Sequence, residues 1–397
     1  VTFASRRPTV AIIGAGIGGL SAAIALHRAG LATRVFEQAT DIGEVGAGLS
    51  LTPNAVKGLG WLGVRKAIET LADEPPQQIT RHYESGEILV RFDRSDTVAR
   101  YGAPYLQMHR ADLHAVLLEH YREHCHGRVV TDRRLRSLQE SGDAVTLEFE
   151  GGITAHASAV IGADGLKSVT RRVCFGDDAP RFAGFVAWRG LVPQARLAAL
   201  DLSPGSAVFA GPGRLFVRYP VRHGALQNFV AFARVDTWAG ESWSQTGDIA
   251  EPRAVLQGFH PEVHAILDAA PDGRCHKWGL FAREPLASWT RGGITLLGDA
   301  AHPMLPWFGQ GAASAIEDAV VLGRCLLDSG TTAELGAAFA RYERSRKARV
   351  GMLQRESAAG GERLVGMRPE LLSNASIVNE DSLGIFAYDP VLDSLTN

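Results

Sequence analysis

The chain has 397 residues, 46% of them hydrophobic and 21% charged, with a formal net charge of −2. That balance suits a soluble globular protein with enough apolar material for two or three domains, and it gives no electrostatic case for nucleic acid as a partner. No run of eighteen apolar residues offers a membrane span, and Val1–Pro8 lacks the apolar segment of a secretory signal, so a cytoplasmic protein is expected. Cys125, Cys174, Cys275 and Cys325 are widely spaced and form no Cys-x-x-Cys pair, so neither a metal site, a disulfide framework nor a redox dithiol is supported. The basic pairs Arg133–Arg134 and Arg171–Arg172 read as solvated surface.

In chain order, Thr9–Ile13 is a short apolar, β-branched run, as expected of a buried parallel strand. Gly18–Ala29, rich in Ala, Leu and Ile and stopped by Gly30, reads as a helix, and Thr33–Glu37 as a second strand. Residues 107–124 look helical, with Leu113, Val116, Leu117 and Tyr121 on one face. Val145–Glu150 with Gly151–Gly152 suggests a hairpin, and Ala159–Gly162 another buried strand. From Phe182 to Glu284 the pattern changes. Phe185–Val192, Ser206–Ala210, Arg214–Pro220 and Asn228–Arg234 are short strand-like runs with Gly and Pro between them, which suits an antiparallel sheet in a second domain. A buried strand returns at Gly293–Asp299, followed by a helix at Gly311–Leu327 and a helical tail from Glu334 through Ser357 toward the C-terminus.

Three glycine-containing segments carry the chemistry. Gly14-Ala15-Gly16-Ile17-Gly18-Gly19 lies between a strand and a helix, and Glu37 closes the next strand. In that context G-x-G-x-x-G is the dinucleotide fingerprint: Gly14 permits the tight turn, Gly16 admits a pyrophosphate, Gly19 lets helix and strand pack, and Glu37 can accept from a ribose. The helix N-terminus favours the diphosphate. Gly162-Ala163-Asp164-Gly165 follows a buried strand and puts a carboxylate where ligands bind in open α/β sheets. Gly298-Asp299-Ala300-Ala301-His302-Pro303 places Asp299 at another strand end, able to hold a sugar or ribityl hydroxyl. Beyond it, Pro306-Trp307-Phe308-Gly309-Gln310-Gly311 opens a helix whose free N–H groups can stabilise negative charge on a flat ring.

In this order and spacing the three motifs resemble the class A flavoprotein monooxygenases, the family of para-hydroxybenzoate and salicylate hydroxylases. Gly46-Ala47-Gly48, Pro53-Asn54, His109-Arg110-Ala111-Asp112-Leu113 and the tail segment from Glu380-Asp381 to Tyr388-Asp389 look like further landmarks, and salicylate 1-hydroxylase, 3-hydroxybenzoate 6-hydroxylase and 6-hydroxynicotinate 3-monooxygenase are the most similar subgroups. The resemblance implies an α/β fold: a Rossmann-like FAD-binding domain interrupted by an α+β substrate domain with an antiparallel sheet, plus a C-terminal helical segment. The expected division is 1–181 (with substrate-domain strands near 75–105), 182–284, 285–330 and 331–397. It implies FAD held by Gly14, Gly16, Gly18, Gly19, Glu37, Gly48, Arg110, Asp164, Gly298, Asp299, Gly309, Gln310, Gly311 and Ala312. The Asp164 motif, with Lys167 and Ser168 after it, would touch both FAD and NAD(P)H. NAD(P)H would reduce FAD, O₂ would add at the flavin C4a, and the hydroperoxide would transfer oxygen to a small hydroxy-aromatic acid. A homodimer is a family-level expectation, and no nucleic-acid or membrane partner is implied.

Substrate residues are expected on the middle sheet and in the loop after Asp299. Pro306 resembles the family proline near the reactive edge of the flavin. Trp307 departs from the histidine associated with that position in the salicylate and hydroxynicotinate enzymes, and it can pack on a ring but cannot act as a base. Arg218 could clamp a carboxylate, with Tyr219 beside it. Trp188 and Arg189 are further candidates, and His302 is either a base or a structural residue beside the cofactor. Three alternatives stay open: a non-catalytic flavin-binding or redox-sensing protein, a monooxygenase acting on another heteroaromatic ring, and an NAD-dependent dehydrogenase, the last of which leaves the Asp299 segment unexplained. A flavin-dependent halogenase is disfavoured because Gly190 stands where its motif has a second Trp.

Overall fold

The computed structural model describes residues 8–43, 46–176, 179–238, 245–327, 329–365, 368–372 and 378–396. The chain opens with β1 (Thr9–Ile13), α1 (Ile17–Arg28), β2 (Ala32–Phe36), β3 (Gly48–Leu51), α2 (Pro53–Trp61) and α3 (Arg65–Leu71). Next come β4 (Gln77–His82), β5 (Ile88–Asp93), α4 (Thr97–Tyr101), β6 (Leu106–His109) and α5 (Arg110–Glu123). They are followed by β7 (Val129–Val130), β8 (Leu135–Ser141), β9 (Ala144–Phe149), β10 (Thr154–Ala157), β11 (Ala159–Gly162) and α6 (Val169–Phe175). The middle of the chain forms β12 (Arg181–Pro193), β13 (Ser206–Gly211), β14 (Arg214–Val221), β15 (Leu226–Arg234), β16 (Gln245–Asp248), α7 (Ala250–Val255), α8 (Pro261–Asp268) and β17 (Arg274–Ala282). The last elements are β18 (Thr290–Arg291), β19 (Ile294–Leu296), α9 (Gln310–Leu326) and α10 (Thr332–Val365).

A six-stranded sheet, ordered β18-β19-β11-β1-β2-β7, draws strands from both ends of the chain. Its pairs are parallel except β18 with β19. β11 and β19 are buried along their whole length and β1 along most of it, which is why they read as continuous apolar runs rather than alternating ones. α1 and α9 pack together beside this sheet, Leu20 and Ile24 joining Ile316 and Val320 in one core. The helix expected from residue 107 starts at Arg110 instead. Leu106–His109 is paid into an antiparallel ladder with Gly48–Leu51, and His109 Nδ1 then accepts from the Ala111 N–H at 3.1 Å as the helix cap.

The second sheet has eight strands, ordered β16-β17-β12-β15-β14-β13-β4-β5, antiparallel except where β13 runs parallel to β4. It therefore takes in β4 and β5 from before the middle of the chain. Period-two alternation gives it two faces. One face, with Val186, Trp188, Phe209, Phe216 and Phe229, packs under Phe259, Val263, Ile266 and Leu267 of the α7–α8 region. The other face, with Phe185, Ala187, Leu215, Phe232 and Trp278, meets Leu305, Trp307 and Val365. It is this second face that turns toward the Asp299 segment and α10. Among the described residues no helix is long and apolar enough to cross a membrane.

A buried charge cluster ties the last two helices to the first sheet. Glu317 and Asp318 of α9 are fully buried, as is Arg346 of α10. Arg346 reaches Glu317 at 2.6 Å and Asp318 at 2.7 Å, and Arg349 reaches Glu317 at 2.8 Å. Asn54 of α2 donates to Glu317 at 2.6 Å. On the other side, the Gly298 N–H and His302 Nε2 lie 3.1 and 2.6 Å from Asp318 Oδ2. Burial alone pushes the Asp318 carboxyl up, but His302 and Arg346 more than reverse this and hold it at about 2.

The sign of that shift makes a prediction. A carboxyl whose folded pKa is depressed stabilises the fold above its unfolded value, ordinarily 3.8, and loses that contribution as pH falls through about 2. Asp318→Asn should destabilise the protein by about 3–5 kcal/mol at pH 7, as expected for breaking a buried charge pair. In denaturant titrations the gap to wild type should narrow below about pH 4. A gap of equal size at pH 3 and pH 7 would count against the cluster being ionised.

Candidate active site

The first glycine turn is built by close contacts. Gly14 has φ +101°, and a Cβ there would lie 2.4 Å from the Ala163 carbonyl oxygen. A Cβ on Gly19 would lie 2.0 Å from the Gly14 carbonyl oxygen, and one on Gly18 would lie 2.8 Å from Leu297 Cδ2. Gly18 and Gly19 therefore serve close helix packing, the role that the fingerprint gives Gly19. Gly16 is different: a Cβ there would meet nothing within 4 Å. It marks the open side of the turn, at the N-terminus of α1, where a phosphate group can approach. Glu37 stands over the same turn, accepting from the Ala15 N–H at 2.8 Å and from the Ala39 N–H at 2.9 Å. Each carboxylate oxygen keeps further acceptor capacity. His114 Nε2 lies 2.7 Å from the Ala15 carbonyl, a buried support that the sequence reading missed.

The second motif is a brace. Asp164 accepts from Ser168 Oγ at 2.5 Å, from the Thr170 N–H at 3.0 Å and from Thr170 Oγ1 at 3.1 Å. Its carboxylate is thus engaged in starting α6. Enclosure by protein raises its pKa, against the lowering effect of these bonds. Arg171 departs from the reading of its pair as surface, while Arg172 is exposed as expected. Arg171 is 1% exposed and donates to the carbonyls of Ala300 at 3.2 Å and Ala301 at 3.0 Å, so it locks the second motif onto the third.

In the third motif Asp299 keeps an exposed surface while protein crowds around its carboxyl. That enclosure raises its pKa, and the nearby positive groups His302 and Arg110 pull it back. Arg110 is fixed through its own N–H, which donates to the Ala47 carbonyl at 2.8 Å. His302 is 1% exposed and faces Asp318, so it is a structural residue and not the catalytic base. Gln310 has its side chain engaged within the protein. Its side chain bonds Thr52 Oγ1 at 3.2 Å, the Phe308 carbonyl at 3.1 Å and Asn54 Nδ2 at 3.2 Å, and what it can present to a ligand is backbone. Gly309 caps α9, and a Cβ on Gly311 would meet nothing within 4 Å, so the first turn of a 17-residue helix is approachable beside Ala312. An open phosphate-sized approach at Gly16, a carboxylate at Glu37, a carboxylate at Asp299 and an open helix start at Gly311 are the donors and acceptors that an extended dinucleotide such as FAD requires.

Above this floor lies the second face of the eight-stranded sheet, the one that meets Leu305 and Trp307. Tyr219 and Asn228 are cross-strand partners, and both meet Gly48. The Gly48 N–H donates to Asn228 Oδ1 at 2.8 Å, and a Cβ on Gly48 would lie 2.5 Å from the Tyr219 ring. Gly48 is therefore needed for the sheet to close over the Gly46–Gly48 loop. Arg218 points the other way. It is fully buried, ion-paired with Glu262, and donates to the carbonyls of Leu202, Pro204 and Gly205 at 3.1, 3.0 and 2.7 Å. A clamp on a substrate carboxylate is excluded for it, since its donors are directed into the α8 layer. Trp188 is corrected on the same ground, because its Nε1 donates to Glu251 at 3.3 Å on that far side. Trp307 packs on Phe185 at 5.1 Å and Phe232 at 5.0 Å, and the Gly360–Gly361 pair of α10 makes room for its ring. Pro306 beside it is exposed.

Such a fold and floor define a FAD-binding protein with a separate sheet roofing the cofactor cleft. The family described as FAD binding domain matches residues 7–357. The chain is 38% identical over 360 residues to a 3-amino-4-hydroxybenzoate 2-monooxygenase of Streptomyces platensis, covering 90% of this chain and 89% of the relative. It is 36% identical over 358 residues to a 6-hydroxynicotinate 3-monooxygenase of Pseudomonas fluorescens, covering 89% and 91%. The crystal structure of Klebsiella pneumoniae HpxO complexed with FAD and uric acid is similar with a TM-score of 0.83 at 28% identity, covering 96% of each chain. The chain belongs to the class A flavoprotein monooxygenases, the FAD-dependent aromatic hydroxylases.

Two glycine substitutions separate packing from ligand contact. Gly16→Ala should leave the melting temperature of the FAD-free protein within about 2 °C, because nothing stands where the methyl would go. It should weaken FAD binding by about tenfold or more, about 1.4 kcal/mol, read by flavin fluorescence. Gly19→Ala, with a backbone oxygen in its way, should fail to reach the folded state. Unchanged FAD affinity in Gly16→Ala would remove that turn from the cofactor site.

Proposed function

We propose that this protein hydroxylates a small hydroxy-aromatic acid, with NAD(P)H as the electron donor and O₂ as the oxygen source. FAD would be held by the turn at Gly14–Gly16, by Glu37, by Asp299 and Arg110, and by the first N–H groups of α9 at Gly311 and Ala312. The observation that carries the reading is the closed roof: an apolar sheet face with one phenol, Tyr219, seated directly on the Gly46–Gly48 loop. The named activities of the two relatives, an aminohydroxybenzoate and a hydroxynicotinate monooxygenase, supply the substrate class.

When bound, reduced FAD activates O₂ and delivers one oxygen atom to an electron-rich ring. The rest is work for this chain's residues. The N-terminus of α9 would offer backbone N–H groups, already oriented, to negative charge on a bound flavin. Val217, Val230 and Phe232 line the roof and exclude water from the reacting ring. Tyr219 is kept protonated: burial raises its pKa, Tyr105 adds to the rise, and Arg189 opposes it. Its hydroxyl thus acts as a hydrogen-bond donor to a ring substituent rather than as a base. Trp307, also no base, sets the size of the pocket with Phe232.

NADH and NADPH oxidation by the FAD-loaded protein tests the reading, with hydroxybenzoates, aminohydroxybenzoates and hydroxypyridine carboxylates added singly and peroxide followed in parallel. One acid should stimulate oxidation strongly while little peroxide accumulates, and a hydroxylated product should appear. Stimulation with all reducing equivalents recovered as peroxide would make that acid an effector. Bound FAD with no response to any of these acids would overturn the substrate class.

A further inference from the structure

Two side chains of the roof meet over one glycine. The Cβ that Gly48 lacks would lie 2.8 Å from the Tyr219 hydroxyl oxygen and 2.8 Å from Asn228 Cγ. The two polar groups are therefore at most twice that distance apart. They are cross-strand partners, and Leu191 of β12 stands beyond Asn228 in the same row. Side chains alternate along a strand, so this row lies on the sheet face that carries Val217, Val230 and Phe232. Val217 and Val230 form the next row. Tyr219 and Asn228 are thus a polar pair at the border of an apolar strip, set against the Gly46–Gly48 loop.

Asn228 is fully buried, and its one bond fixes which way its carboxamide lies. Gly48 offers an N–H, so the amide oxygen must face it, and it accepts there at 2.8 Å. The other corner of the carboxamide, Nδ2, is left as a donor. Among the described residues it has no hydrogen-bond partner. A buried donor is costly to leave unpaired, and one that stands so in a folded chain asks for an occupant. Beside it is a protonated phenol: Tyr219 keeps 8% of its surface exposed, and burial raises its pKa. The two groups differ in what they tolerate. A hydroxyl can donate or accept, whereas a carboxamide NH2 only donates. Of the pair, Asn228 is the one that decides which ligand atom is taken.

We propose that Asn228 is a specificity residue: its Nδ2 donates to an oxygen on the substrate ring, so the enzyme takes rings that present a hydroxyl or oxo oxygen beside Tyr219 and rejects rings that present an amino group there. This rests on the aromatic-acid reading above and adds to it which ring substituent the roof reads. An oxygen offers lone pairs to Nδ2 and to the Tyr219 hydroxyl together. An aromatic amino group turns its own N–H toward the amide, which sets donor against donor and leaves Nδ2 unpaired. A site built around a buried donor discriminates strongly against an analogue that cannot accept from it. Asn228 acts on binding and orientation and exchanges no proton.

The test uses the FAD-loaded protein and matched acids that differ only in oxygen against nitrogen on the ring: 3-amino-4-hydroxybenzoate with 3,4-diaminobenzoate, 6-hydroxynicotinate with 6-aminonicotinate, and 3-hydroxybenzoate with 3-aminobenzoate. Binding is read from the perturbation of the flavin absorbance. In the pair to which wild type responds, the hydroxy member should bind roughly 10- to 100-fold more tightly than the amino member. Asn228→Asp keeps the oxygen that Gly48 needs and replaces the NH2 by an acceptor. It should weaken the hydroxy member by roughly 10- to 100-fold, increasingly as the new carboxyl ionises with rising pH, while the amino member holds or gains affinity. A merely structural role for Asn228 would lower both members alike. FAD content and melting temperature confirm that the variant is folded, and if it is not, the wild-type comparison decides alone. Equal binding of the two members by wild type, or a folded Asn228→Asp that keeps the wild-type preference, refutes the role of Asn228 while the aromatic-acid reading stands. A wild type that responds to no acid overturns both.

Discussion

Glu317 and Asp318 lie side by side in the middle of α9 with no access to water, and the arrangement of the cofactor cleft follows from how their charges are met. Two carboxylates in such a place are tolerable only if cations and donors reach them with good geometry. Arg346 and Arg349 come from α10, Asn54 from α2, and His302 with the Gly298 N–H from the segment that carries Asp299. Each of those elements contributes to the cleft on its far side. Gln310, at the helix start, hangs from the same Asn54. The C-terminal stretch closes the cluster from outside, with Arg349 stacked on Tyr388 at 4.0 Å and bonded to the Ile385 carbonyl at 3.1 Å. The charge cluster is therefore the frame on which the floor of the site is set, and it explains why His302, so close to Asp299 in sequence, has no part left to play in proton transfer.

The roof obeys a simpler constraint. In an antiparallel sheet with both faces covered, every second residue belongs to the other layer, and one position decides all the rest. Gly48 fixes that choice here. Its contacts with Tyr219 and Asn228 put Tyr219 over the cleft, and Arg218 must then enter the α8 layer, where Glu262 and three carbonyls satisfy it. The same parity on β12 sends Trp188 away from the site and Arg189 toward it. Roof and floor meet through backbone at Gly46–Gly48, so the shape of the pocket depends on glycine there as much as on the side chains around it.

What was legible in the sequence was local. β1, the glycine turn, α1, β2, β11, α9 and the four middle strands could be read because apolar runs, glycine punctuation and period reveal themselves within a dozen residues. The segments that form the candidate floor, around Gly14, Gly16, Glu37 and Asp299, stand out for the same reason. What was not legible depended on pairing. The face on which Arg218 or Tyr219 lies is set by register against β13 and β15, and no feature of Arg218-Tyr219-Pro220 itself announces it. The alternation along Asn228, Val230 and Phe232, aligned to β14, was the one signal that could have shown it. Arg171 looked like half of a basic surface pair because the carbonyls it binds lie about 130 positions away in the chain. Residues 107–109 read as helix because the ladder partner of their strand, Gly48–Leu51, is remote in sequence.

The most direct test of this account is the FAD affinity of an Asn54→Ala variant. Asn54 lies in α2 and joins Glu317 to Gln310, so the account gives it a part in the cofactor site only through the charge cluster. Removing a buried hydrogen bond to a charged group costs about 1.5–3 kcal/mol. If the cluster sets the floor, the dissociation constant for FAD, measured by flavin fluorescence at fixed temperature and salt, should rise at least about tenfold while the variant stays folded. A folded Asn54→Ala protein that binds FAD as tightly as wild type would show that the floor stands without the cluster and would contradict the account.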